Sequence, residues 1–312
     1  MKNELVVKDN VLINASYNLE VTEQRLILLS IIRARETSQG ISSDSKLQIH
    51  ASDYASRFDV TKEAAYDALK NAVNSLFERK FSFKEIHENT GKEIVVKSRW
   101  VSRIAYLDEL AILEITFAPD VVPLITRLEK HFTSYQLKQV AQLTSKYAIR
   151  LYEILIAWKG VGKTPFISLE NFRHQLGLEV NEYKKMVNFK SRVLEPAIQQ
   201  INDLTDINVK YEQHKSGRSI SGFTFKLKQK NLDIRSKQQN YTELKKMTDS
   251  QIRLFSNKLS ELPEMGKYSQ GNESYQQFAL RIADMLRDKQ KVKELLPYLM
   301  KVGYLEANNY VA

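Results

Sequence analysis

Cationic side chains are concentrated in residues 184–230, which contain ten Lys or Arg against four Asp or Glu. Within this stretch, NFKSRVLEPAIQQIND (188–203) has the pattern of an amphipathic helix with a cationic first turn, and HKSGRSISGF (214–223) that of a basic turn between two strands. Lys and Arg in such positions neutralise phosphates, and side chains on the outer face of a helix can reach base edges in a major groove. The pattern therefore predicts a surface that binds double-stranded DNA.

The candidate DNA-binding residues of this region precede the helix, occupy its first turns or lie on the basic turn: Lys184, Lys185, Lys190, Ser191, Arg192, Lys215 and Arg218. The apolar side of the helix is expected to consist of Phe189, Val193, Ala197 and Ile201. A helical projection places Arg192 opposite that side, where it can read bases, and Ser191 at its edge. Lys190 projects toward the apolar side and is expected to contact a phosphate rather than a base. Pro196 removes the N–H that would bond to the carbonyl of Arg192, so it is expected to kink the helix or to confine its regular part.

The order strand, short helix, long helix, hairpin occurs twice, with an offset of about 120 residues. The predicted elements of the first copy are strand 46–50, helices 51–58 and 61–80, and strands 81–87, 93–106 and 110–117. Those of the second copy are strand 165–169, helices 170–178 and 188–203, and strands 207–213 and 220–228. This order describes a winged helix, a helix-turn-helix whose second helix is supported by a hairpin. The predicted fold class is α+β, with tandem winged-helix domains.

Three other regions are predicted to be helical. Residues 21–36 form a nearly continuous apolar stretch, which indicates a central buried helix with Thr22 as its N-cap. Residues 143–160 form another capped helix, whose apolar face consists of Tyr147, Leu151, Ile154, Leu155 and Trp158. The C-terminal region, residues 243–312, reads as a small appendage of three helices at about 248–260, 273–289 and 291–302.

The first copy carries a weaker version of the cationic pattern. Its candidate DNA-binding residues are Lys62 and Lys70 on the long helix, and Lys97, Arg99 and Arg103 on a basic wing. Acidic residues are interleaved with the two lysines of the long helix. A solvated face with a domain or subunit contact is therefore the alternative interpretation.

The whole chain has a formal net charge of +10, which favours polyanionic partners, either nucleic acid or an anionic membrane surface. A membrane-binding protein would need a basic amphipathic helix with bulky apolar anchors. The absence of cysteine excludes a disulfide scaffold and a thiolate metal site, and it fits a reducing cytosol. No apolar run is long enough to span a bilayer or to form a secretory leader, so a cytoplasmic protein without a membrane partner is expected.

Signals for enzymatic chemistry are weak. The segment AWKGVGKT (157–164) fits a relaxed phosphate-binding loop, but a predicted helix precedes it and a strand follows, the reverse of what such a loop needs. The five histidines are scattered, without the spacing of a metal-binding pair: His50, His87, His131, His174 and His214. We expect a non-enzymatic protein without cofactor or metal. A nickase or an ATPase is the alternative class.

Several segments resemble one protein family. The segment LVVKDNVLINASYNLEVTEQRLILLSIIRARE is similar to the opening of iteron-binding replication initiators of theta-replicating bacterial plasmids, the Rep initiator superfamily. The segment LTSKYAIRLYEILIAWK resembles the linker helix of that family, and NFKSRVLEPAIQQINDLTDINVKYEQHKSGRSISGFTFKLK its second winged helix. The C-terminal segments TDSQIRLFSNKLSEL and KELLPYLMKVGY resemble an extension found in the RepM-type subgroup.

The resemblance implies a winged-helix domain in residues 1–130 for dimerisation and DNA backbone contact, a second in 131–232 for sequence-specific binding, and a helical extension of unknown role in 233–312. It places the reading helix on Lys190, Ser191 and Arg192, and the wing on Lys215, Gly217 and Arg218. It implies a monomer that initiates replication, a dimer that represses its own gene or handcuffs origins, and recruitment of host DnaA and the replicative helicase. The alternative function is a transcriptional repressor without a role in replication, because a shared fold does not settle function.

Overall fold

The computed structural model describes residues 4–42, 44–126, 131–230, 247–269 and 273–304. The chain divides into two compact parts, residues 1–230 and residues 231–312. The predicted domain boundaries at 130 and 232 fall in stretches outside the described residues, 127–130 and 231–246, and they stay predictions.

The first winged helix, which together with the hairpin inserted in it is called the first unit below, is built as its order predicts. Strand β3 (Leu47–His50) leads into helices α3 (Ala51–Phe58) and α4 (Lys62–Phe77). Strands β6 (Val101–Leu107) and β7 (Ile112–Phe117) then complete an antiparallel sheet of order β3–β7–β6. Helix α4 begins where its sequence indicates, because the Thr61 side chain accepts a hydrogen bond from the N–H of Ala64.

A hairpin is inserted between α4 and this sheet. Its strands, β4 (Lys80–Ile86) and β5 (Glu93–Arg99), pair with each other, and β4 also pairs with the short strand β2 (Ser16–Tyr17). The prediction of one strand over 93–106 was therefore wrong. The chain turns at the fully buried Trp100, and the strands on either side of it enter different sheets.

The second winged helix, called the second unit below, repeats the topology. Strand β9 (Ile167–Ser168), helix α8 (Leu169–Gln175), a long helical run over 186–204, and strands β10 (Ile207–Ser216) and β11 (Ser219–Gln229) follow in order. Their sheet has the order β10–β11–β9, which matches β6–β7–β3 of the first unit element by element. The prediction of two winged helices is confirmed.

Pro196 is accommodated by a π turn within the long helical run. The run consists of α9 (Met186–Phe189), a π-helical turn (Lys190–Leu194) and α10 (Glu195–Leu204), and the Glu195 N–H bonds to the carbonyl of Lys190. In an α-helix, a side chain lies about 40° around the helix axis from the side chain four residues before it, so a row of residues four apart gradually rotates around the helix. A π turn has more residues per turn and rotates this row back in the opposite direction. The predicted apolar side therefore stays aligned, and all four of its members are buried: Phe189, Val193, Ala197 and Ile201.

Two other helices pack into the core between the winged helices. Helix α2 (Val21–Thr37) is largely buried as expected, but its cap is a capping box between Glu20 and Glu23, not Thr22. Helix α7 (Lys146–Ile156) is capped by Ser145, whose side chain accepts a hydrogen bond from the N–H of Ala148. It ends before Trp158, so that residue lies in the following turns and is 37% exposed rather than part of the buried face.

The remaining elements of residues 1–230 pack around the N-terminal segment. Strand β1 (Leu5–Asp9) pairs antiparallel with β8 (Phe132–Gln136). Three short helices complete this part: α1 (Asn10–Asn14), α5 (Val121–Thr126) and α6 (Lys138–Ala141). One continuous apolar core extends from these elements through both winged helices.

The C-terminal unit is helical, as predicted. It contains α11 (Asp249–Ser260), α12 (Tyr275–Arg287) and α13 (Lys289–Lys301), which share a separate apolar core. Helices α11 and α12 each begin with a capping box, so their starts are defined locally. Within the described part of the chain, no helix combines the length and apolar character that crossing a membrane requires.

Candidate nucleic-acid interface

The helical run 186–204 has one buried side and one exposed side. The buried side is anchored by the Phe189 ring, which lies 6.0 Å from the ring of Phe172 and 6.3 Å from that of Phe223. On the opposite side, Ser191 and Arg192 are exposed, as the helical projection predicts. The first turns of this helix therefore present polar and cationic groups on a backbone that the aromatic core holds in place.

Val187 and Asn188 belong to the same exposed side, one turn before Ser191 and Arg192. Neither residue is among the candidates predicted from the sequence. A signal was present, because residues four apart lie on one face of a helix. It was missed because the helix was expected to begin at 188, and because the candidates were chosen mainly for their charge.

Lys190 connects the helix to the neighbouring strand. Its Nζ donates a hydrogen bond to Gln213 Oε1 on β10 at 2.6 Å and lies 5.5 Å from the centroid of the Tyr211 ring. The Tyr211 hydroxyl donates to the carboxylate of Glu195. Burial and this bond raise the pKa of Tyr211, so its hydroxyl stays a neutral donor. The expected orientation of Lys190 toward the apolar side is observed, and its ammonium group is engaged within the protein.

The hairpin β10–β11 forms the wing of the second unit. Ser216 pairs with Ser219, so Gly217 and Arg218 make a two-residue turn. Gly217 has φ +61°, as in hairpin turns that place glycine at the first central position. Lys215 and Arg218 are exposed at this tip, next to a register shift between His214 and Lys215.

Lys184 and Lys185 are also exposed, in the segment that leads into the helix. The predicted residues of the second unit therefore lie on three consecutive features, namely the approach to the helix, its outer face and the wing. Their roles in DNA binding stay predictions.

The wing of the first unit is different from the one predicted. The hairpin that corresponds to β10–β11 is β6–β7, whose tip is the short 3-10 helix Asp108–Leu110. Asp108 accepts hydrogen bonds from the Tyr66 hydroxyl and from Lys70 Nζ, the latter at 3.5 Å. These two donors lower the pKa of the Asp108 carboxyl. The tip is acidic and held against α4, so the expectation of a basic wing in this position was wrong.

The basic residues predicted on that wing do not lie at its tip, and only Arg103 belongs to the hairpin β6–β7. Lys97 and Arg99 are on the inserted strand β5, and Arg103 is on β6. Arg99 pairs with Glu78 at 3.2 Å and donates to the carbonyl of Phe77, while Arg103 pairs with Glu114.

Two of the five candidates in the first unit remain available. Lys62 and Lys97 are exposed, and neither has an ion pair among the described residues. Lys70, Arg99 and Arg103 are engaged in ion pairs within the chain.

A buried polar cluster joins the two winged helices. Glu153 on α7 accepts hydrogen bonds from Lys8 at 2.6 Å, Tyr17 at 2.9 Å, Tyr135 at 2.5 Å and Arg150 at 2.8 Å. Burial disfavours the ionised carboxylate, but the two cations outweigh it and lower the pKa of Glu153 to about 2. Burial raises the pKa of both tyrosines, so their hydroxyls remain donors.

Arg150 connects this cluster to the backbone of the N-terminal segment and to that of the second winged helix. Its guanidinium donates to the carbonyls of Ile13 and Ala15 in the N-terminal segment and to that of Gln175 at the end of α8. The cluster therefore ties the N-terminal segment and α7 to the end of α8 in the second winged helix.

Two winged helices in tandem, one with an exposed cationic helix and a basic wing, define a class of proteins that bind double-stranded DNA. Comparison with known proteins identifies the family. The family described as "Initiator Replication protein, WH1" matches residues 5–156, and "Initiator Rep protein, WH2" matches residues 168–227. The chain therefore belongs to the initiator replication protein family, and it is a replication initiator.

Two solved structures and one curated protein are similar to different shares of this chain. A crystal structure of the Pi initiator protein in complex with iteron DNA is 22% identical and covers 73% of this chain and 98% of its own, with a TM-score of 0.55. The crystal structure of the WH1 domain of MSBI1.176, a replication protein isolated from a multiple sclerosis patient, is 56% identical over 41% of this chain and 97% of its own, with a TM-score of 0.34. An uncharacterized 27.6 kDa protein of Escherichia coli is 26% identical over 69% of this chain and 92% of its own length.

Proposed function

We propose that this initiator binds iteron repeats at a plasmid origin and starts theta-type DNA replication there, without catalytic chemistry of its own. The observation that carries the proposal is the exposed pair Ser191 and Arg192, on a helix anchored by buried aromatic rings and flanked by the basic wing. Arginine binds guanine in the major groove through two hydrogen bonds, and the wing residues Lys215 and Arg218 are positioned to hold the phosphate backbone. The iteron DNA in the complex of the Pi initiator supports the choice of target.

The proposal includes the partners that the family resemblance implies. The protein acts in the bacterial cytoplasm, recruits host DnaA and the replicative helicase, and represses its own gene as a dimer. The first unit serves mainly in self-association and backbone contact, because strand β5 lies exposed at the edge of its sheet and carries the exposed Lys97. The acidic tip of β6–β7 disfavours base reading by this unit.

The test compares two alanine variants on two kinds of duplex. The full-length protein is titrated onto the repeated DNA beside its own gene, located by footprinting, and onto random DNA at several salt concentrations. Arg192→Ala should weaken binding to the repeat by about 1–3 kcal/mol and affect random DNA less. Lys215→Ala should weaken both duplexes equally and reduce the slope of log affinity against log salt by about one.

Arg35→Ala, an exposed arginine in the last turn of α2, is the matched control and should change neither quantity. Equal losses on repeat and random DNA for Arg192→Ala would contradict the base-reading role. A footprint on a single palindrome over the promoter, without repeats, would contradict the role in initiation.

A further inference from the structure

We infer that Val187 and Asn188 read an A·T-containing step of the target, with Asn188 hydrogen-bonding an adenine and Val187 contacting the methyl group of a thymine. The inference rests on the proposed function, since it requires that the outer face of helix 186–204 enters a major groove. It adds two residues and a base identity to that surface.

The exposure of Val187 is the first observation. Its side chain is 76% exposed, on a helix whose opposite side is completely buried. In the free protein, an apolar side chain in this position gains nothing from the core. It lies one turn before Ser191 on the same face, so a duplex that lies along this face against Ser191 and Arg192 would also cover Val187. Contact with DNA would remove its methyl groups from water.

The chemistry of the major groove limits what Val187 can recognise there. The C5-methyl of thymine is the apolar group that a base pair presents in this groove, and all other recognition features are hydrogen-bond donors or acceptors. A valine that cannot donate or accept therefore discriminates only through this methyl group.

Asn188 supplies the complementary polar contact. Its side chain is exposed, and it makes no hydrogen bond within the described part of the chain. A carboxamide matches adenine, because it can accept from N6 and donate to N7 at the same time. Adjacent valine and asparagine side chains at the start of one helix therefore favour neighbouring thymine and adenine bases.

Helix geometry places this step relative to the arginine contact. Residues 188 and 192 are separated by about 6 Å along the helix axis, because each residue rises by about 1.5 Å. The stacked bases of a duplex are about 3.4 Å apart. The A·T-containing step should therefore lie about two base pairs from the base that Arg192 reads.

The experiment removes single atoms from the DNA and single side chains from the protein. The full-length protein first selects its preferred duplex from a random library. Each thymine of that duplex is then replaced by deoxyuridine, which lacks only the methyl group, and each adenine by 7-deazaadenine, which lacks N7. Affinities are measured for the unmodified protein, Val187→Ala, Asn188→Ala and the control Val180→Ala, whose valine is 87% exposed but lies before the helix.

At one thymine, deoxyuridine should weaken the unmodified protein by about four-fold, the value expected for one buried carbon. Val187→Ala should bind the two duplexes equally, and Val180→Ala should keep the full difference. At a neighbouring adenine, 7-deazaadenine should weaken the unmodified protein but not Asn188→Ala.

The outcomes separate the two proposals. A protein that selects no preferred duplex overturns the proposed function. A preferred duplex without thymine near the arginine contact, or a Val187→Ala variant that keeps the thymine preference at every position, overturns this inference and leaves the proposed function standing. Circular dichroism on each variant verifies that the exposed substitutions preserve the fold.

Discussion

Arg150 Nη1 lies 2.8 Å from Glu153 Oε2, and both side chains are buried where the two winged helices meet. The same carboxylate also holds the ammonium group of Lys8 at 2.6 Å. Two cations and one anion out of water are stable together only because hydrogen bonds satisfy the remaining donors, and removing the anion leaves two uncompensated charges. The cluster is therefore sensitive to the loss of Glu153.

Glu153→Gln should lower the free energy of unfolding of the 1–230 unit by about 3–5 kcal/mol, because Lys8 and Arg150 remain buried without a counter-charge. Urea denaturation followed by tryptophan fluorescence measures the change, since Trp100 packs 4.9 Å from Tyr17 of the cluster. The control is Glu212→Gln, which breaks an exposed ion pair with Lys226 and should leave the midpoint nearly unchanged. Equal shifts for both variants would show that the buried cluster contributes no more to stability than an exposed ion pair does.

The same carboxylate predicts an acid dependence. Its pKa is about 2 in the folded protein against an ordinary value of 4.5, so the ionised form is favoured by folding. Its contribution is fully present above about pH 4.5 and is lost as the pH falls toward 2, a total of about 3 kcal/mol. The difference in unfolding free energy between the unmodified protein and Glu153→Gln should therefore shrink between pH 5 and pH 2. A constant difference over this range would mean that Glu153 does not titrate as the cluster requires.

Gly177 should tolerate no side chain, because the backbone of the N-terminal segment passes close to it. It has φ +73°, and a Cβ atom there would lie 2.0 Å from the carbonyl oxygen of Tyr17. Gly91 also has a positive φ of +64°, but a Cβ atom at that position would meet no other atom within 4 Å, so Gly91→Ala measures the backbone strain alone. Gly177→Ala should cost at least about 2 kcal/mol more in thermal or urea unfolding, since the backbone of the N-terminal segment must move. Equal costs for the two variants would exclude the clash.

The repeated winged-helix order could be predicted because each element has a local signal in the sequence. Thr61 marks the start of α4, and the alternation of strands around the basic turn marks the second wing. The division of strand 93–106 could not be predicted. Strand-forming residues continue on both sides of Trp100, and only its burial between two sheets separates them. The position of Pro196 was evident from the sequence, but the π turn that accommodates it was not. That turn depends on how the apolar side of the helix packs rather than on the proline itself.

The candidate site was predicted best where it depends on helical periodicity. Arg192 and Ser191 are exposed for the reason the projection gives. The predictions were weakest for the first unit, because the partners that engage Lys70, Arg99 and Arg103 are 38, 21 and 11 residues away in sequence. The buried cluster was not anticipated at all, since Lys8 and Glu153 are separated by 145 residues.

Lys190 should act through Gln213 rather than by contacting a base. Lys190→Met and Gln213→Ala should each weaken binding to the preferred duplex, because either change frees the helix start from β10. The double variant should be no weaker than the single ones, which corresponds to a coupling of about 1 kcal/mol. Dissociation constants of the four proteins measure this coupling. Additive losses would instead assign Lys190 a direct contact with DNA.

The two basic residues of β5 should separate into one that supports the fold and one that contacts DNA. The Arg99 guanidinium donates to the carbonyl of Phe77 at 2.7 Å and lies 5.4 Å from its ring centroid, so Arg99→Ala should lower the unfolding midpoint. Lys97 is exposed, and Lys97→Ala should leave that midpoint unchanged.

If the inserted hairpin lies along the phosphate backbone, Lys97→Ala should also reduce the salt dependence of DNA affinity by about one unit of slope. Anisotropy titrations between about 50 and 200 mM salt measure this slope. An unchanged slope for Lys97→Ala would remove β5 from the DNA-binding surface and leave self-association as the role of that edge.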